Sequence, residues 1–429
     1  MMRHNQNDPH EPEKLIVVGQ GYVGLPLAVR AVEVGYDVVG LDTDELRVKR
    51  LASGDSYIEG VDHSRLAAAL DSGSYEPTTD YDRIADFDVC VITVPTPLRD
   101  GAPDLSFVES AARRIAPHIT PGATVVLEST TYPGTTDCLL RPLLEEGSAL
   151  KAGVDFHLGY SPERIDPGNP EWHLENTPKV TSGIDAASLR SVERFYARIV
   201  ERTVPVTSCR TAELTKLLEN TYRHVNIAMV NEMATISREL GADIWEAIEA
   251  AATKPFGFMP FTPGPGVGGH CLPVDPSYLS WQVKRLLRQD VRFISLANEV
   301  NDQMPAYVTR RITRGLNERA KSVKGSRVLQ LGLAYKKNTG DIRESPAIML
   351  AQALSRLGAH VLTVEPHTDA YLLPPDILRV ELTEAEIRAA DVVVVATDHD
   401  AFDYALVERA ASYVLDTRNR CRGPQVEIL

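Results

Sequence analysis

A glycine-rich stretch, Gly264-Pro265-Gly266-Val267-Gly268-Gly269-His270-Cys271-Leu272-Pro273-Val274-Asp275, carries one thiol and one carboxylate four positions apart. Glycine has no Cβ and tolerates positive φ, so such a loop brings backbone close to a ligand. Cys271 is then a candidate nucleophile, with the Asp275 carboxylate close behind it. By itself the loop equally fits a cysteine that packs as a small hydrophobe. His270 invites a thiol–imidazole pair, but neighbours in a loop rarely face each other, and it reads as structural. Lys216, Asn220, Arg223 and Asn226 follow at i, i+4, i+7 and i+10 of a helical pattern, which places them on one side of that helix. They describe either its wet face or a buried row aimed at a ligand. A third group, Lys336, Lys337 and Arg343, reads as facing a phosphate.

The elements that must position these groups begin with Leu15-Ile16-Val17-Val18, which breaks into Gly19-Gln20-Gly21-Tyr22-Val23-Gly24 and continues as a helical run. A second strand, Tyr36 to Leu41, ends on Asp42, at the distance a dinucleotide fingerprint requires. The glycines seat a pyrophosphate against a helix N-terminus, where unpaired N–H groups favour an anion. Asp42 would accept hydrogen bonds from the adenosine ribose and repel a 2′-phosphate, so the expected cofactor is NAD rather than NADP. Gln20 is expected to face the cofactor. Two further strands end in polar tips, Val94-Pro95-Thr96-Pro97 and Glu128-Ser129-Thr130-Thr131-Tyr132-Pro133. A fifth, Phe156 to Tyr160, ends in Ser161-Pro162-Glu163-Arg164, and Glu163 is retained because it falls at the same end of the sheet.

From Thr211 to about Leu240 apolar residues recur at three- and four-residue steps without proline or glycine, which predicts one long helix able to pair with a second copy of itself. Helical sequence follows the cysteine loop. A second α/β unit then starts near Arg327, with strands at Arg327–Tyr335, His360–Pro366, Asp391–Thr397 and Tyr413–Asp416. The expected fold is α/β: two Rossmann-like parallel-sheet domains joined by a long central helix and a helical middle domain. The expected boundaries are a loose tail at 1–13, a dinucleotide domain at 14–207, a central domain with the cysteine loop at 208–322 and a second Rossmann-like domain at 323–429, which lacks GxGxxG and is expected to bind something other than a second dinucleotide. No internal repeat is visible in the sequence.

The 429 residues are 43% hydrophobic and 24% charged, with a formal net charge of −14, which argues against nucleic-acid or anionic-membrane partners. Five scattered cysteines without a C-x-x-C pair suggest neither disulfides nor a metal site. A reducing, cytoplasmic setting is expected. The apolar runs are too short to span a bilayer.

Taken together, the motifs resemble the UDP-glucose/GDP-mannose dehydrogenase family over about Leu15 to Asp416. They are Gly19 to Gly24, Val94 to Pro97, Glu128 to Pro133, Tyr160 to Arg164, the Lys216/Asn220 pair, Gly268 through Asp275, and Lys336 to Arg343. The resemblance implies oxidation of C6 of a UDP-sugar to a carboxylate with two NAD per sugar. Cys271 would capture the aldehyde as a thiohemiacetal that becomes a thioester. Lys216 and Asn220 would stabilise an oxyanion, Asp275 and Thr131 would help move protons, and Glu163 would direct the hydrolytic water. The resemblance also implies NAD contacts from Gly19, Gly21, Tyr22, Val23, Gly24, Asp42, Pro95, Thr96, Thr130, Thr131 and Arg343. Substrate contacts would come from Glu163, Arg164, Lys216, Asn220, Arg223, Asn226, Gly268 and Lys336. The stretches Tyr222 to Ala228 and Lys254 to Phe261 look most like the branch acting on UDP-N-acetylhexosamines, in particular UDP-N-acetylglucosamine. UDP-glucose and UDP-N-acetylmannosamine are the alternatives, and a homodimer through the central helix is implied. A two-electron hydroxyacid dehydrogenase would need neither the cysteine nor the second α/β unit. An inactive nucleotide-sugar-binding protein should have lost part of the set Glu163, Lys216, Asn220, Cys271 and Asp275, all of which are present.

Overall fold

The computed structural model describes residues 12–58, 60–166, 169, 171–269, 272–369, 373–375 and 377–429. His270 and Cys271 therefore lie outside the described residues, as does all but the end of the 1–13 tail. The chain forms two compact units, 1–218 and 219–429.

In the first unit the strands of the main sheet are β1 (Lys14–Val18), β2 (Asp37–Leu41), β3 (Tyr75–Thr78), β4 (Val89–Ile92), β5 (Thr124–Leu127), β6 (His157–Tyr160), β7 (Lys179–Gly183) and β8 (Thr203–Pro205). Their spatial order is β8-β7-β6-β5-β4-β1-β2-β3. All neighbours run parallel except β6 and β7, which meet antiparallel at Gly159/Gly183 and Tyr160/Ser182. Successive β1 residues serve opposite cores: Ile16 and Val18 join one cluster, Leu15 and Val17 the other. That is why the strand reads as a continuous apolar run, since a parallel sheet is covered on both faces. Helix α1 (Gly24–Glu33) follows β1 directly, and α2 (Ala186–Ile199) packs beside β7.

Helix α3 (Cys209–Glu239) is the predicted long helix, and the boundary between units falls inside it, after Leu218. The second unit continues with α4 (Ile244–Ala252), α5 (Asp275–Leu287) and α6 (Arg292–Glu318). Its strands are β9 (Arg327–Leu331), β10 (His360–Val364), β11 (Leu378–Arg379), β12 (Val392–Val395), β13 (Val414–Asp416) and β14 (Val426–Ile428), and α7 (Pro346–Arg356) lies between the first two. The order is β11-β10-β9-β12-β13-β14, parallel throughout. Met304, Val308, Ile312 and Leu316 of α6 share one core with Val328, Leu350 and Val394, so the helical region and the second sheet fold as one body.

The second sheet runs 3-2-1-4-5-6 from its own first strand, the doubly wound order, and the first sheet runs the same way before β7 and β8 extend it. The sequence shows no repeat, yet the architecture does. The first turn is also repeated: Gly19 N–H donates to Leu41 O at 2.7 Å and Gly332 N–H to Val364 O at 2.8 Å. Both glycines have positive φ, 96° and 86°. A Cβ on Gly19 would sit 2.9 Å from Thr93 O, and one on Gly332 2.7 Å from Thr397 O, so no larger residue fits either position.

Candidate active site

Asp42, at the end of β2, is buried and accepts from Gln20 N–H (2.7 Å), Asp44 N–H (3.0 Å) and Arg47 Nη1 (2.9 Å). The carboxylate is thus tied to the glycine turn, as the spacing predicts. Arg47 was not anticipated; the only signal was a basic residue one helical turn past the acid. Gln20 corrects an expectation. Its side chain does not face the cofactor but is fully buried, donating to Val17 O (2.9 Å) and accepting from Tyr75 Oη (2.8 Å). It fills the space left by Gly40, where a Cβ would lie 2.7 Å from its Oε1.

The turn suits a dinucleotide. A Cβ on Gly21 would meet nothing within 4 Å, whereas one on Gly24 would lie 1.8 Å from Gly19 O, so the open side of the turn is at Gly21. Val23 is the α1 N-cap and supplies no side-chain cap; in the first turn Leu25 N–H is taken by Gly21 O (3.1 Å) and Pro26 carries no N–H, so an anion here would rely on the turn itself and Gly24 N–H. Tyr22 is partly exposed and Pro95 exposed, while Thr96 is buried. Beyond β5, Thr130 is half-buried, and Thr131 is fully buried with Oγ1 lacking any protein partner among the described residues. An orphaned buried hydroxyl is costly unless something outside the protein bonds it, so Thr131 fits a ligand or water at this turn. These residues would hold NAD.

The stretch after Thr131 is fixed from α3. Glu213, fully buried, accepts from Gly134 N–H (2.5 Å), Thr136 N–H (2.8 Å) and Thr136 Oγ1 (2.8 Å). Burial pushes its carboxyl up to about 7 even against those donors. Glu128 is buried against Lys179 and accepts from Tyr196 Oη at 2.6 Å. Burial, then the Glu128 charge, push the Tyr196 phenol far up, so it stays a donor.

Glu163 and Lys216 come together in the first unit. Lys216 Nζ lies 3.4 Å from Glu163 Oε2, and Lys216 is only 5% exposed. Glu163 Oε1 accepts from Ile165 N–H, and Arg164 Nη1 donates to Pro178 O at 2.6 Å. In the second unit Asn220 Nδ2 donates to Asp275 Oδ2 at 2.6 Å, both groups buried. Asp275 opens α5.

The expected row on α3 is kept only in part. Lys216 and Asn220 are buried, but Arg223 is exposed, and Asn226 is half-buried with its amide turned back onto Tyr222 O (2.7 Å). The buried polar line instead includes His224 and Asn231. His224 Nε2 lies 2.7 Å from Asn298 Oδ1, Asn231 Nδ2 donates to Asn301 Oδ1 (2.9 Å), and Asn231 Oδ1 accepts from Gly264 N–H (2.9 Å). This network holds the start of the cysteine loop, and sequence reasoning missed it. The loop's later glycines lie on the segment after β9: Gly269 N–H donates to Arg343 O at 3.0 Å, and a Cβ on Gly268 would meet Glu344 O at 2.5 Å.

Of the three basic residues on that segment, Lys337 pairs with Asp400 (3.8 Å) and Arg343 with Asp341 (2.6 Å), while Lys336 is half-buried beside the Tyr335 ring. Arg418, just past β13, was not anticipated. Its Nε donates to Ala396 O at 3.0 Å, and Gly264 packs against its guanidinium. Among the described residues no cluster of metal-ligating side chains occurs, and no helix is long and apolar enough to cross a membrane.

Residues 13–200 match the NAD binding domain of the UDP-glucose/GDP-mannose dehydrogenase family, residues 210–303 its central domain and residues 329–423 its UDP binding domain. A UDP-N-acetyl-D-mannosamine dehydrogenase of Pyrococcus horikoshii is 35% identical over 96% of this chain and 97% of its own. A UDP-N-acetyl-D-glucosamine 6-dehydrogenase of Salmonella typhi is 34% identical over 91% and 90%. The solved structure of a UDP-D-ManNAc dehydrogenase from Pyrococcus horikoshii superposes with a TM-score of 0.89 at 33% identity, covering 97% of this chain and 98% of that one. With an NAD turn in the first unit, a doubly wound UDP-binding sheet in the second and these matches along nearly its whole length, the chain belongs to the UDP-glucose/GDP-mannose dehydrogenase family of NAD-dependent nucleotide-sugar oxidoreductases.

Proposed function

We propose that the protein oxidises C6 of a UDP-N-acetylhexosamine to the uronic acid in two steps, with Cys271 carrying the intermediate. The observation that carries this reading is the pairing of the expected catalytic groups in buried positions: Lys216 with Glu163, and Asn220 with Asp275. Lys216 and Asn220 supply a cation and an amide donor for the oxygen that becomes negative. Asp275 accepts a proton, with the Thr131 hydroxyl available to a water, and Glu163 positions the water that releases the product from sulfur. NAD, when bound, takes the hydride in each step. Cys271 prevents loss of the aldehyde by adding to it, forming a C–S bond that water later breaks.

Within the acetamido sugars, the gluco and manno epimers named for the two relatives stand at 34% and 35% identity, too near to separate them. UDP-N-acetylglucosamine remains the first substrate to try, on the Tyr222 to Ala228 and Lys254 to Phe261 stretches, with UDP-N-acetylmannosamine beside it. Arg223 is proposed as a substrate contact. Limiting sugar is incubated with excess NAD, and NADH is counted. About two NADH per acetamido sugar is the expected result, dropping toward one in Cys271→Ser. One NADH with free aldehyde in the wild type removes the covalent step, and turnover of UDP-glucose alone removes the acetamido preference.

A homodimer is part of this proposal. Leu214, Leu218, Tyr222, Met229, Met233 and Ile236 of α3, with Leu240 just past its end, are all exposed at three-, four- and seven-residue steps. A face that apolar on one helix favours a partner helix. Light scattering is expected to give twice the chain mass; a monomer mass at micromolar concentration would overturn it.

A further inference from the structure

The second sheet repeats the strand order and the glycine turn of the first but uses its acid differently. Glu365 stands at the end of β10, where Asp42 stands at the end of β2. Its Oε2 accepts from Leu333 N–H (2.7 Å) and Ala334 N–H (3.1 Å), its Oε1 from His367 N–H (2.9 Å). His399 Nε2 lies 3.1 Å from the same Oε2, and both side chains are fully buried. Burial acts to raise the Glu365 carboxyl, but His399 and the N–H donors outweigh it and bring it to about 2. A carboxylate so enclosed has no exposed oxygen for a ribose.

The other face of His399 shows what the pair does. Its Nδ1 accepts from Asn338 N–H at 2.9 Å. Nδ1 as acceptor and Nε2 facing a carboxylate are satisfied together by one neutral tautomer, the Nε2–H form. Asn338 has a left-handed backbone (φ 58°), and its side chain is locked to Asp400 in both directions, Nδ2 to Oδ2 at 2.6 Å and Oδ1 from Asp400 N–H at 2.9 Å. Gly340 packs on His367 O, where a Cβ would come within 2.5 Å, and Thr368 Oγ1 donates to Gly340 O. The loop Tyr335–Arg343 is thus bent at a costly residue and pinned from below by buried side chains. Strained backbone persists where surrounding contacts over-determine it, commonly at ligand clamps. The loop leaves the carboxyl end of β9, the side of an open α/β sheet at which ligands bind.

We propose that Glu365 and His399 are positioning residues that set the Tyr335–Arg343 loop, with Lys336, for the diphosphate of the nucleotide sugar. The acid that in the first unit is tied to the glycine turn and Arg47 is here an internal brace, and the imidazole carries its hold to Asn338. This rests on the reading that a UDP-sugar binds the second unit. Loss of the brace weakens nucleotide binding through the loop while the NAD turn, in the other unit, is untouched.

Two substitutions separate the two bonds of His399 in the full-length protein. His399→Asn keeps an acceptor for Asn338 N–H, and His399→Gln keeps a donor for Glu365 but leaves Asn338 N–H unpaired. UDP itself is titrated by calorimetry, NAD is titrated as the internal control, and KM and kcat are measured with the preferred sugar. His399→Gln is expected to weaken UDP about tenfold or more, the scale of an orphaned buried N–H, and to raise KM alike with little change in kcat. His399→Asn, which keeps the Asn338 bond but gives up the one to Glu365, is expected to weaken UDP severalfold but clearly less than His399→Gln, and NAD affinity to stay unchanged in both. Equal weakening in both variants, unaltered UDP binding in His399→Gln, or a parallel loss of NAD binding overturns the proposal. Wild-type protein that binds no UDP removes the underlying reading and the proposal with it. Should either variant fail to fold, the nitrogen shifts of His399 in wild-type protein decide: an Nδ1–H tautomer overturns the bond to Asn338.

Discussion

Lys216→Met is expected to lower kcat by roughly 10²–10³-fold, the scale for removing one preorganised oxyanion donor. Lys216 is 5% exposed and its ammonium stands 3.4 Å from Glu163 Oε2, which aims it. In a buried setting its charge acts with little screening, so the loss falls on the transition state rather than on ground-state binding. KM for the sugar should therefore move much less than kcat. Lys216→Arg is not expected to rescue, because a planar guanidinium does not occupy the place of a compact ammonium. Steady-state kinetics on protein with a wild-type melting profile tests this. A loss below tenfold would remove Lys216 from the chemistry.

Lys179→Met is expected to destabilise the first unit by about 3–5 kcal/mol, the range for breaking a buried pair from one side. Among the described residues Glu128 would keep only the Tyr196 hydroxyl as a side-chain partner, in a site where it is 1% exposed. The double variant Glu128→Leu/Lys179→Met should recover most of the loss, since removing both charges also removes both desolvation penalties. Urea unfolding, followed at two wavelengths to separate the units, reads the difference. A single variant within about 1 kcal/mol of wild type would mean the pair is solvated after all.

Local signals were read correctly. The uninterrupted period from Thr211 to Leu240 predicts a helix found at Cys209–Glu239, and the strand–turn–strand spacing places Asp42 on the glycine turn. What escaped is long-range pairing. Gln20 was assigned to the cofactor because a polar residue in that turn has no local reason to be buried; its reason is Tyr75, brought beside it by the strand order. The angular position of Arg223 and Asn226 on α3 was right as geometry. Exposure on a helix, however, is decided by what packs against it, and Asn298 and Asn301 of α6 select His224 and Asn231 instead. His399 carried no motif at all, its partners Glu365 and Asn338 lying far away in sequence.

The enclosed Glu365 also bears on timing. The chain holds the dinucleotide fold twice but, among the described residues, Asp42 stands beside a turn that is open at Gly21, whereas Glu365 is enclosed by Leu333, Ala334, His367 and His399. On the proposed two-step oxidation, both steps would draw on that turn in succession, so the reduced cofactor would have to leave and a fresh one arrive while the half-oxidised sugar waits. Tethering the sugar to sulfur would make such a pause safe, and turnover would become a matter of exchange as much as of bond breaking.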